Sequence, residues 1–235
     1  MTMRLLARGI AALLLLVSAL PAQAAVTITF WSRDFGNYFP HAFFTLRGTP
    51  DAGGAPVDAS YGFTARSVTP ALLFGNVKGR VERPKRGYMQ GSHARFSRTL
   101  SDAQYAAILD LIREWDEKTG DATYNLNRRN CVTFVREAAR RSGLTTVDFP
   151  KLMKKPSSFL RAVAAANPGA VEPVEQTGKQ WFAAHPPLDA ALPVDAPEAT
   201  PGTMAGKKPA GPANDDAQPP AGTSSITSRT DSNAG

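Results

Sequence analysis

The chain is poor in the residues that most often announce a chemistry. Across 235 residues it carries one cysteine and three histidines. A single cysteine excludes an internal disulfide framework and any multi-cysteine zinc site, and so few histidines argue against a histidine-rich metal centre. Beyond residue 25 no apolar run is long enough to span a bilayer. No internal repeat is present.

Both ends differ from the middle. Met1 to Ala24 reads as a secretory signal peptide: Arg4 and Arg8 form the positive region, Gly9 to Leu20 the short apolar region, and Ala22-Gln23-Ala24 the small-residue cleavage site after Pro21. No cysteine follows that site, so lipid attachment there is excluded, and the mature protein is expected to be periplasmic or secreted. Residues 186–235 hold nine prolines, ten alanines, five glycines and no aromatic residue. Such a segment cannot bury enough apolar surface to offset the entropy of ordering it, so a disordered Pro/Ala-rich tail is expected.

The folding unit is then residues 25–185, long enough for one α+β domain. It holds 22 basic and 14 acidic residues, a balance of +8, against −3 for the tail. The positive charge gathers at Lys78 to Arg86, Arg128-Arg129, Arg140-Arg141 and Lys151 to Lys155. In an exported protein the matching anions are lipid headgroups and wall polymers, not nucleic acid, although a solvated basic surface would look the same. A monomer is expected.

Val26 to Trp31 alternates β-branched and aromatic residues, a strand pattern. His41 to Leu46 follows as a second strand opened by Pro40, and Ser60 to Thr64 as a third, so 41–64 reads as a hairpin across the Gly/Pro-rich turn Gly48 to Ala55. Leu72 to Glu82 and Ser92 to Leu100 read as further strands. Helical signals then take over. Ser101-Asp-Ala-Gln104 is a capping box, with Tyr105, Ile108, Ile112 and Trp115 spaced along one core-facing stripe. Asn130 is a good N-cap for a helix from Cys131 to about Arg141, and Pro156 introduces a last helix to Ala166.

Cys131 is the informative residue. It shares a helix face with Phe134, Val135 and Ala138, so it points toward the sheet. It also stands in the first helical turn, where unpaired backbone N–H groups and the helix dipole favour an anion, and Arg128 and Arg129 precede it. A small buried hydrophobe is the alternative, although a free thiol in an oxidising compartment is a liability. A thiol nucleophile needs a base. His185 borders the tail and His93 precedes a strand, whereas His41 opens a strand on the same face as Phe43 and Thr45 and is the preferred partner. A histidine merely satisfied at a strand end is the alternative there.

The stretches Phe39-Pro-His-Ala-Phe-Phe-Thr-Leu46 and Tyr124-Asn-Leu-Asn-Arg-Arg-Asn-Cys-Val-Thr-Phe-Val135 together resemble the permuted NlpC-like branch of the papain-fold cysteine hydrolases, relatives of the lecithin:retinol acyltransferase group. In that branch a strand opening with histidine precedes a helix beginning Asn-Cys. The resemblance implies a permuted papain-like α+β fold, an antiparallel sheet packed against a few helices. It implies Cys131 as nucleophile, His41 as general base, and the Cys131 backbone N–H as an oxyanion donor. It also implies a third polar residue on the strand after the histidine strand, where Ser60 and Tyr61 are the candidates. Asn130 is taken as the cap.

The expected function is an exported thiol hydrolase of amidase or peptidase type, acting through an acyl-enzyme with no metal or organic cofactor, with wall peptides as the favoured envelope substrate. A lipid or ester acyl hydrolase or acyltransferase of the same fold, and a catalytically inactive binding module, are the alternatives.

Overall fold

The computed structural model describes residues 25–188 except 35, 37 and 38. The expected signal peptide lies outside the described residues, as does the tail beyond residue 188.

The architecture is α+β. Seven antiparallel strands run in the order β6-β4-β3-β2-β1-β5-β7. They are β1 (Val26–Arg33), β2 (His41–Gly48), β3 (Val57–Ala65), β4 (Val77–Glu82), β5 (His93–Leu100), β6 (Thr123–Tyr124) and β7 (Glu172–Thr177). The helices are α1 (Ala71–Phe74), α2 (Arg86–Gln90), α3 (Asp102–Trp115), α4 (Cys131–Arg141), α5 (Pro156–Ala166) and α6 (Gly178–Ala184), with a 3-10 turn at Pro150–Leu152.

The central strands are covered on both faces, which is why β1 and β2 read as nearly continuous apolar sequence. On one face Ile28, Phe30, Phe44, Leu46 and Phe63 pack beneath α3, α4 and α5. Phe44 stacks on Phe134 of α4 with ring centroids 5.5 Å apart, and Phe30 on Phe96 at 4.7 Å. On the other face Trp31, Phe43, Met89, Ala94 and Trp181 form a smaller cluster under α2 and α6. Burying such side chains stabilises the fold by about 1.5–3 kcal/mol each.

α3 and α4 begin where the capping residues place them: Ser101 with Gln104, and Asn130 with Thr133, form reciprocal capping boxes. The hairpin expected over 41–64 is present, with β3 starting earlier, at Val57.

Several stretches depart from the sequence expectation. Leu72 to Glu82 is not one strand: Ala71–Phe74 forms a helical turn with no buried residue, and the strand starts only at Val77. An apolar triplet carries no period that tells a strand from an apolar turn. β7 and α6 carry no expected element at all. β7 reads Glu-Pro-Val-Glu-Gln-Thr and survives as an edge strand on β5, held partly by Arg95. The buried Arg95 guanidinium donates to Ser32 Oγ (2.7 Å) and to Glu175 Oε2 (2.9 Å), tying β5 to β1 and β7. Beyond the expected boundary at 185, Arg47 donates to the Pro186 carbonyl and the Leu188 N–H to Asp58. Among the described residues no helix is long and apolar enough to cross a membrane.

Candidate active site

Cys131 is the first residue of α4, and the cap before it fixes its position. Asn130 Oδ1 accepts from the backbone N–H groups of Val132 (2.8 Å) and Thr133 (3.0 Å), while its Nδ2 donates to the carbonyls of Leu126 (2.9 Å) and Met153 (3.0 Å). The Phe134 N–H bonds the Asn130 carbonyl. Asn130 is thus fully occupied as a structural cap. Of the N–H groups opening the helix, that of Cys131 alone has no acceptor among the described residues.

His41 opens β2 and is buried. Its Nε2 stands 3.0 Å from Oε1 of Glu82, the last residue of β4. The contact brings opposite charges together without the alignment of a hydrogen bond. Burial alone would lower the His41 pKa. The interaction with Cys131, and next that with Glu82, outweighs burial and pushes the imidazole up to about 10. The Glu82 carboxyl shows the counterpart: burial would raise its pKa, but the His41 contact, aided by Arg80, holds it below the ordinary value. A thiol, a cationic imidazole and a carboxylate therefore share one site.

Neither residue expected to orient the imidazole does so, and the sheet register explains why. Tyr61 pairs with Phe44, so its ring enters the core on the helix-covered face, and its hydroxyl lies 3.5 Å from Arg83. Ser60 pairs with Thr45, well along β2 from its first residue, and its Oγ donates to the Pro84 carbonyl at 2.8 Å. Glu82 takes the place expected for them, one strand further over. It was missed because it reaches His41 across β3, where Gly62 pairs with both Phe43 and Glu82. A Cβ at Gly62 would sit 2.7 Å from His41 Nε2 and 3.5 Å from Glu82 Oε1. The absent side chain is what lets the two meet. The only sequence signal was an acid closing the strand after the hairpin.

The other sequence candidates lie elsewhere. His93 opens β5 opposite Ser32, and His185 stacks on Trp181 with centroids 4.3 Å apart. The Arg129 guanidinium lies 3.6 Å from the Trp115 ring centroid and donates to the Asp121 carbonyl, so it is turned to packing, not to the thiol.

His41, Glu82 and Cys131 sit in a cleft of about 720 Å³. Most of its wall is apolar, including Pro40, Leu72, Leu73, Tyr124, Leu126 and Met153. Lys154 is its one lysine or arginine, so the basic run Lys78 to Arg86 does not rim it. The Tyr124 phenol is held well above its ordinary pKa by burial, and next by the charges of Cys131 and Glu82, so it faces the site as a neutral hydroxyl. Among the described residues no group of three His, Cys, Asp or Glu stands close enough to hold a metal ion.

A thiol, an imidazole and a carboxylate gathered at one cleft wall are groups that can form and break an acyl–sulfur bond. Compared with known proteins, the chain matches no family model, no curated sequence and no solved structure, so its own geometry carries the functional argument.

Proposed function

We propose that this chain is an exported cysteine hydrolase of permuted papain-like fold, in which Cys131, His41 and Glu82 cleave an acyl bond whose acyl group lies in the apolar cleft. The observation that carries this is that Cys131, His41 and Glu82 line one cleft together, with His41 Nε2 3.0 Å from Glu82 Oε1.

The Cys131 thiolate attacks the carbonyl carbon, forming a C–S bond while the C=O electron pair moves onto oxygen. The free Cys131 N–H donates to that oxyanion. As the tetrahedral species collapses, the bond to the leaving group breaks and His41 delivers the proton to it. Water then adds to the S-acyl carbon, giving its proton to His41. Breaking the C–S bond releases the acid and regenerates Cys131 and His41 for the next turnover. Glu82 holds the ring in one orientation and stabilises its positive charge throughout. No cofactor enters these steps.

The apolar lining supports an acyl group of hydrocarbon character over the charged peptides of a wall, because a peptide carboxylate in that cleft would meet only Lys154. Amide hydrolysis remains open to the same three residues. The test is hydrolysis of p-nitrophenyl esters of increasing chain length, beside peptide p-nitroanilides. Ester cleavage that improves with chain length and is abolished in Cys131→Ala is the expected result. Cleavage of the anilides alone would move the assignment to amides. No Cys131-dependent turnover, with alkylation of the thiol indifferent to His41→Ala, would leave an inactive binding module.

A further inference from the structure

Four large apolar side chains stand exposed among the described residues, and they are not scattered. Phe39, Val68 and Leu73 line the mouth of the cleft, and Phe74 follows Leu73 directly. Val68, Leu73 and Phe74 are 67%, 63% and 86% exposed. α1 is the helical turn that carries two of them, and it buries none of its residues although its sequence is Ala-Leu-Leu-Phe. An apolar patch gathered at one site calls for a partner, whereas single exposed side chains do not. The same lining also supplies charge. Lys154 lines the cleft, and Lys151 and Lys155 beside it are exposed, none of the three in an ion pair among the described residues. The one carboxylate in the lining, Glu82, is taken by His41.

We propose that Val68, Leu73 and Phe74 form a docking surface for an anionic lipid layer, with Lys151, Lys154 and Lys155 meeting the headgroups, so that the cleft opens against the surface from which its acyl substrate is drawn. Apolar side chains entering the headgroup–acyl boundary and lysines attracted to anionic lipid are the two additive terms of interfacial binding. The mouth of the active cleft carries both. The substrate half of this inference rests on the function proposed above; the docking half does not.

The mature chain, residues 25–235, is sedimented with vesicles of phosphatidylcholine alone and of phosphatidylcholine with phosphatidylglycerol, at low and high salt. The same preparations are assayed on a soluble short-chain ester. The expected result is binding to the anionic vesicles that weakens with salt, falls on the order of tenfold in Phe74→Ser, and falls again in Lys151→Gln/Lys155→Gln. Phe74 lines no part of the cleft, so soluble-ester hydrolysis is expected unchanged in Phe74→Ser, which also shows that the variant folds. Equal partition of wild type and Phe74→Ser, or no partition at all, overturns the docking surface. Self-association that Phe74→Ser abolishes, without vesicle binding, overturns it in favour of a second copy of the chain. Vesicle binding with no ester hydrolysis by the wild type keeps the docking surface and removes the esterase function alone.

Discussion

Glu82 contributes by charge and by position, and the two can be separated. Glu82→Gln keeps the shape and removes the negative charge from His41 Nε2. A charge-assisted contact contributes about 1.5–3 kcal/mol, so turnover is expected to fall roughly 10- to 100-fold. The upper limb of the pH–rate profile, where the imidazolium is lost, moves to lower pH in the same variant. A profile that keeps its upper limb would show that the carboxylate does not act on the ring. Gly62→Ala tests the geometry instead. Its Cβ falls 2.7 Å from His41 Nε2, so turnover is expected to drop by more than the roughly 1–3 kcal/mol of destabilisation that overpacking brings. Parallel kinetics and thermal melts check this. Cys131 and His41 were legible in the sequence because each stands at the end of an element that announces itself, the Asn cap and the Pro-led strand. Glu82 was not, because its neighbour is chosen by two strand registers and no local pattern records them.

Among the elements, α4 deserves the closest test because its cap does three things at once. Asn130→Ala removes the acceptor for two backbone N–H groups and strands the carbonyls of Leu126 and Met153. The cost is expected at about 1–2 kcal/mol for the cap, with more for the two carbonyls, read from denaturant midpoints. Activity should fall further than stability, since the residue after the cap is the proposed nucleophile. Asn130→Asp keeps the cap and loses only the donors, so it should recover part of both. The capped helices α3 and α4 were readable because caps are local chemistry. α1 and β7 were not, and for opposite reasons. Leu72-Leu73-Phe74 is apolar without a sheet to pair with, and Glu172 to Thr177 pairs with a sheet without being apolar.

Across the molecule, the site couples folding to pH. The folded imidazole is raised from 6.5 to about 10, so it binds a proton that the unfolded chain has released. The stabilisation from this pairing is fully present below pH 6.5 and is lost as pH rises through about 10. Unfolding free energies measured across that window should fall with pH in the wild type, with a shallower slope in His41→Gln. Matching slopes would mean that the folded imidazole carries no extra proton.

The three side chains of the proposed site are distant in the chain: the histidine lies on β2, the carboxylate on β4, and the thiol follows only on α4, ninety positions after the histidine. They meet through strand register and a helix cap, never through a local turn. A nascent chain therefore finishes its base and its acid well before its nucleophile is made. While it is still extended, it holds three ordinary residues and no catalyst. The proposed chemistry begins only with the closing of the sheet, so the order of synthesis itself delays it.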